Sequence, residues 1–301
     1  MNKYIIIGVI ALAIIIGVFT LNPSKEQNNQ PISKELISID AITHGHGLST
    51  DPKDPSKLYI ATHHGLLLLK NDKDLFQVGE TKDDYMGFSS HPNNSDIFYS
   101  SGHPESGGNL GFQKSVDGGY SWTKISDVEN APVDFHAMGV SRVNPDLVFG
   151  WTQGKLYGSI NAGKDWKTFL TKFLVTSIVT DSKDENMVYA LSPQGSGVLV
   201  SNNKGESFTE LSDQLSGGIV SSLAINPADN KEMLSFSEKI GGLGISDDGG
   251  KTWEKLNEEF NGEEVLFISY SKPIPKNVYA LTHLNSIYKS VDGGNIWMRI
   301  K

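Results

Sequence analysis

Cysteine is absent from the 301 residues, which excludes a disulfide framework, thiolate metal sites and a lipid-modified cysteine. Arginine is nearly absent as well, with Arg142 and Arg299 alone. Against a net charge of −9, that scarcity excludes a phosphate-tracking surface and removes nucleic acid as a partner. Long uncharged apolar runs are also rare. The clearest, Tyr4 to Leu21, follows Lys3 at the N-terminus and is long enough for a slightly thin hydrocarbon core. The stretch from Gly17 to Leu21 offers no small-x-small cleavage site, so residues 1–21 read as an uncleaved transmembrane helix or signal anchor. Lys3 and the amino terminus place the bulk of the chain outside the cytoplasm. The expectation is a single-pass cell-membrane protein, or a secreted one if the segment is cleaved. Residues 22–35 are polar, contain two prolines and read as a tether.

What the sequence has in abundance is repetition. SVDGGYSW from Ser115, SINAGKDW from Ser159, SNNKGESF from Ser201, SDDGGKTW from Ser246 and SVDGGNIW from Ser290 align without gaps. Their starts are 44, 42, 45 and 44 residues apart, and an eroded copy, KNDKDLF, begins at Lys70, 45 residues before Ser115. Periods of this length indicate propellers or solenoids. Within each repeat, short β-rich runs recur, as in HAMGVS, DLVFGWT, KLYGSI and WKTF. These predict four strands, a to d, with the repeated motif joining c to d. The fold class expected is all-β: one six-bladed propeller of four-stranded antiparallel blades over residues 36–301, acting as a monomer.

The aligned segments resemble the Asp-box (BNR) repeat of sialidases, xyloglucanase-type glycosidases, sortilin-type receptors and photosystem assembly factors of the Ycf48 type. In the motif, an Asp or Asn side chain accepts backbone N–H bonds in a tight turn, Gly takes a positive φ and Trp or Phe packs beneath. It builds a turn and performs no chemistry. HGHGL, ATHHGL, DYMGF, SGHP and DFHAM further resemble a group of bacterial proteins labelled glycosyl hydrolases.

Histidine breaks the symmetry of the repeats, since seven of the eight precede residue 137. His44, His46, His63, His64, His103, His136 and His283 fall on d-to-a or b-to-c connections, which share the face opposite the Asp-boxes. His91 falls on the box face. Blades 1 to 3 carry His44-x-His46-Gly47, Asp84-x-Met86-Gly87 and His136-x-Met138-Gly139 at one position. In a strand the first and third residues face the same way, so each pair is expected to point into the channel, with glycine permitting close backbone approach. His63 and His64, as neighbours, are expected to divide between two directions.

Three functional readings follow. His44, His46, His63, His64, His103 and His136, with carboxylates such as Asp134 behind them, suit a transition metal, zinc or copper, at the channel mouth. Asp84, Glu105 and Asp134 are the candidate acid and base or nucleophile of a glycosidase, which needs two carboxyl groups roughly 5–10 Å apart. Tyr85, Phe135 and Trp151 would then offer a sugar platform. A sialidase is excluded by the missing arginine triad. The resemblance to sortilin-type and Ycf48-type propellers implies a scaffold that holds a polypeptide. The partner at the mouth is therefore a small molecule, a glycan or a polypeptide, with the membrane as partner of the N-terminal helix.

Overall fold

The computed structural model describes residues 34–301 apart from 172, 194 and 259. The anchor expected over 1–21 and nearly all of the tether lie outside the described residues. Among the described residues no helix is long and apolar enough to cross a membrane.

Six antiparallel sheets, each laid down in chain order, form six blades. Their innermost strands are Gly45–Thr50, Ser89–Ser90, Ala137–Val140, Ser177–Thr180, Val220–Ile225 and Val265–Tyr270. The second strands are sandwiched between neighbouring blades and read as unbroken apolar runs, as in Val188–Ser192 and Val278–Thr282, buried along their whole length. The outermost strands, such as Glu254–Lys255 and Met298–Arg299, are exposed. Hydrophobic residues gather into six clusters, one between each adjacent pair of blades. A blade cannot bury its own faces, so the core lies between blades and each blade depends on its neighbours.

Each of the five complete boxes builds the same turn. Ser115 Oγ donates to Asp117 Oδ1 at 2.8 Å and accepts Gly119 N at 2.9 Å, while Asp117 Oδ1 accepts Ser121 N at 3.0 Å. The carboxamides of Asn161 and Asn203 reproduce the last contact, taking Asp165 N at 2.9 Å and Ser207 N at 3.0 Å. The backbone takes positive φ at Gly118 and Gly119; the first position accepts Ala162 and Lys204 in other boxes at φ 58, whereas a Cβ on Gly119 would lie 2.5 Å from Leu66.

Two departures from four equal strands matter. Leu36–Ser38 adds a fifth strand to blade 1, antiparallel to Asp74–Val78 on its outer edge, so the repeat proper begins after it. In blade 2 the run DYMGFSS does not form one inner strand. Asp84–Tyr85 pairs with Gly102–His103, the continuation of the blade's own second strand, with Asp84 opposite His103 and the register shifted by one residue from that of Ser89–Ser90. Ser89–Ser90 is the part that lies in the four-stranded sheet.

Among the described residues blades 1 and 6 exchange no strand. The ring closes through packing of Leu58, Ile60, Leu67 and Leu69 against Tyr279, Leu281 and Ile287. The eroded box contributes directly: Asp72 accepts Tyr279 Oη at 3.0 Å and Lys289 Nζ at 2.6 Å. A turn that lost its serine thus serves as an inter-blade latch.

Candidate metal centre

His46 sits at a β-bulge. Gly45 pairs with Thr62 and Gly47 with Ala61, which leaves His46 as the extra residue of the inner strand. Bulges re-aim side chains next to functional sites. The second strand of blade 1 ends in a tight turn, in which Thr62 Oγ1 donates to Gly65 O at 2.9 Å and accepts His64 N at 3.1 Å. That turn brings His63 over His46, with ring centroids 4.0 Å apart and steeply inclined. His44 stacks on His63 at 5.2 Å and meets His46 edge-on at 5.0 Å.

One ligand atom from each of His44, His46 and His63 lies within 4.8 Å of the others. His46 is the deepest, with its side chain 13 % exposed. Burial and the neighbouring His63 push its pKa down to about 4, against the opposing pull of Asp84. It is therefore neutral at neutral pH, as a metal ligand must be.

Asp84 holds the cluster from behind. Its Oδ2 takes His63 Nδ1 at 2.7 Å, which assigns the proton to Nδ1 and leaves the lone pair of His63 on Nε2. Its Oδ1 lies 3.7 Å from His46 Nε2, and both of these buried atoms lack a hydrogen-bond partner. Unsatisfied buried polar atoms are uncommon, and a bound ion or water is one physical explanation of them.

Of the six histidines expected at one site, three form this cluster, two form a second and His64 joins neither. Asp134, whose side chain is 8 % exposed, has one oxygen 3.1 Å from His103 Nε2 and 2.8 Å from His136 Nε2. The loop carrying it is pinned by Phe135 N donating to Ser101 Oγ at 2.8 Å. His103 is raised above its usual pKa by a hydrogen bond to Gly108 O, and further by Asp134. The charge of His136 reaches His46, so the two clusters adjoin without merging. His64 stands apart, exposed, with its ring 6.5 Å from that of His63. His283 accepts Glu264 N at 3.0 Å and joins neither cluster.

Two of the three carboxylates proposed for glycoside hydrolysis have imidazole partners. Asp84 and Asp134 each hold imidazoles, while Glu105 is exposed and is tied through its backbone N–H to Asp83 Oδ1 at 3.1 Å. The sugar platform does not form. Tyr85 and Phe135 are 1 % and 0 % exposed, and Trp151 packs on the cluster between blades 3 and 4 and donates to Thr171. Their β-strand periodicity gives no sign of this, because both faces of an inner blade are buried. Met138 lines the channel and belongs to the core between blades 2 and 3.

The channel runs between the inner strands with a volume of about 230 Å³. His46 and His136 line one end. The other end holds Arg142 and Lys272, two residues that sequence reasoning passed over. The signal was positional: Pro52, Pro92, Arg142, Ser182, Pro227 and Lys272 each follow an inner strand and all line the channel.

No family model and no curated protein matches this chain. Solved structures do. The GH74 xyloglucanase from Xanthomonas campestris superposes with a TM-score of 0.62 at 14 % identity, over 89 % of this chain and 47 % of that one. The Niastella koreensis GH74 enzyme gives 0.57 at 15 %, over 84 % and 46 %. This chain therefore spans less than half the length of those enzymes. The structure of YCF48 bound to D1 peptide gives 0.56 at 15 %, over 88 % of this chain and 84 % of that one. In fold, the chain is a six-bladed β-propeller structurally like the GH74 xyloglucanase and Ycf48 propellers.

Proposed function

We propose that this protein is an extracytoplasmic, membrane-anchored propeller that binds a divalent transition metal, zinc foremost, through His44, His46 and His63. The observation that carries this reading is the convergence of three imidazole ligand atoms within 4.8 Å around a buried, unpartnered His46 Nε2. A tetrahedral ion with bonds of about 2.0–2.1 Å needs its ligand atoms about 3.3 Å apart, so modest side-chain rotation suffices. Three imidazoles without a thioether favour zinc over copper(I). Such a set leaves a further position for water or for an exogenous ligand at the channel mouth. Asp84 orients His63 and carries the charge that offsets the cation. Membrane anchoring draws support from the Tyr4–Leu21 run behind Lys3.

Glycoside hydrolysis has less support, because its carboxylates are committed to histidines and its aromatics are buried. A polypeptide-binding role draws on the likeness of fold to the peptide-bound YCF48 structure.

The test is calorimetric titration of chelator-treated full chain with zinc. One equivalent should bind to the native chain and none to the His44→Ala/His46→Ala/His63→Ala variant. Failure to bind zinc, copper or nickel, or unchanged binding by the triple variant, overturns the proposal. Cell fractionation should leave the full chain in membranes resistant to alkaline carbonate.

A further inference from the structure

The end of the channel on the Asp-box face is electrostatically unlike the rest of the protein. In a chain of net charge −9, no carboxylate is among the residues lining the channel. Its lining instead includes two permanent cations, Arg142 and Lys272, from blades 3 and 6, which stand opposite each other in a ring of six. Both reach toward blade 2. Arg142 Nη1 donates to Ser90 O at 3.1 Å and to Ser90 Oγ at 3.3 Å, and Lys272 Nζ donates to Pro92 O at 2.9 Å and to Asn93 Oδ1.

All these acceptors are neutral. Among the described residues neither cation takes part in an ion pair, although six other lysines pair at 3.3 Å or closer. Asp146, the carboxylate whose field reaches His91, pairs with neither. Like charges held together without a counter-ion repel, and each lowers the cost of placing an anion between them. Both side chains remain open to solvent, so an ion can enter.

The surroundings are those of an oxyanion site. Ser49 and Ser90 hydroxyls stand 2.5 Å apart on the adjacent wall, and Ser269 Oγ, which also lines the channel and accepts Thr50 N at 3.3 Å, keeps its own proton to donate. A guanidinium fork suits a tetrahedral oxyanion, with the ammonium acting as a point charge. The volume of about 230 Å³ falls below the roughly 300–1,000 Å³ of pockets for drug-sized ligands, which selects a compact ion over an oligosaccharide. We propose that Arg142 and Lys272 form a binding site for a phosphate-type oxyanion at the box-face end of the channel, either free phosphate or a small phosphomonoester. The site is independent of the histidine cluster at the other end.

The test is calorimetric titration of metal-free full chain with inorganic phosphate and, separately, with glycerol phosphate. Saturable binding of one equivalent of either is expected, and the two titrations separate the free ion from the ester. Arg142→Gln and Lys272→Gln should each weaken binding at least tenfold. Arg142→Lys should retain part of it. Lys53→Gln, which removes a charge from the same face outside the channel, and His63→Ala should leave it unchanged. Absence of saturable binding, preference for citrate over both phosphates, or an equal loss in Lys53→Gln would overturn the proposal. Circular dichroism of each variant separates loss of the site from loss of the fold, and Lys272, on the rim, supplies the variant least coupled to folding.

Discussion

Asp84 touches His63 Nδ1 at 2.7 Å with one oxygen and leaves the other unpartnered, 3.7 Å from His46 Nε2. The carboxylate therefore fixes the tautomer of one imidazole and faces a second without satisfying it. Carboxylates behind ligating histidines typically contribute about 10–100-fold in metal affinity. Asp84→Asn should weaken zinc binding by that factor while leaving one equivalent bound at saturation. An unchanged affinity, measured by competition with a chelator, would show that Asp84 has no part in the site.

The same cluster sets a pH dependence. His46 has a folded pKa near 4 against the usual 6.5, because burial and His63 oppose its charging. Between these values the unfolded chain binds a proton that the folded chain refuses, so stability must fall as pH drops from about 6.5 to about 4. His103, with its raised pKa, acts in the opposite sense: its contribution is full below 6.5 and is lost as pH rises through its folded pKa. In metal-free protein, His46→Gln should lose less stability than the native chain between pH 7 and pH 5, read by urea unfolding. An identical loss in both would remove His46 as the source. Ring-proton titration by NMR should place His46 well below 6.5 and His103 above it.

Much of the fold is legible because the Asp-box is a local device. A serine hydroxyl, an Asx carbonyl oxygen and a positive-φ glycine close the same hydrogen bonds wherever they recur, so five turns and their spacing give the blades. The site is less legible because its geometry is set where the repeat is broken. The bulge that leaves His46 unpaired recurs in blades 5 and 6 at Ser221 and Leu266, and nothing in the sequence marks it. In blade 2 the inner strand is interrupted between Asp84–Tyr85 and Ser89–Ser90 with a one-residue shift of register, and Asp84 at its entry meets the blade 1 histidines. A reading of DYMGFSS as one uninterrupted strand does not mark that shift. Histidine counting finds the right face, but it cannot divide one face into the His63–Asp84 and His103–Asp134 groups, which depend on side chains crossing between blades.

Glycine at the inner strands is a packing requirement as well as a mark of the channel. A Cβ on Gly139 would lie 2.9 Å from Ile178 O and 3.0 Å from its side chain in blade 4, and one on Gly87 would lie 2.7 Å from Phe135 O and Met138 in blade 3. Neither glycine has positive φ, so the restriction is steric rather than conformational. Overpacking of this kind costs about 1–3 kcal/mol. Gly139→Ala should lower stability by that amount in thermal or denaturant unfolding. A neutral effect would mean that blades 3 and 4 can separate without loss.

Closure of the ring offers a sharper case. Propeller ends joined by an exchanged strand resist opening through a ladder of backbone bonds, but here blades 1 and 6 are each built wholly from one end of the described chain. Their seam relies on apolar packing and a few side-chain contacts, among them Thr50 Oγ1 to Tyr270 O at 2.8 Å and Gly45 N to Asn285 Oδ1 at 3.2 Å. Asp72 is the charged member, joined to both Tyr279 and Lys289. Exposed ion pairs contribute up to about 1 kcal/mol, and hydrogen bonds to charged groups about 1.5–3 kcal/mol. With Lys289 mostly buried and Asp72 a third exposed, Asp72→Ala should cost about 1–2 kcal/mol. Because opening at the seam precedes loss of any blade, the variant should show faster amide exchange in Lys57–Thr62 and Val278–Thr282 than in Val188–Ser192, on the far side of the ring. Uniform acceleration around all six blades would instead mean that the ring unfolds as one unit and that the seam is no weaker than the other interfaces.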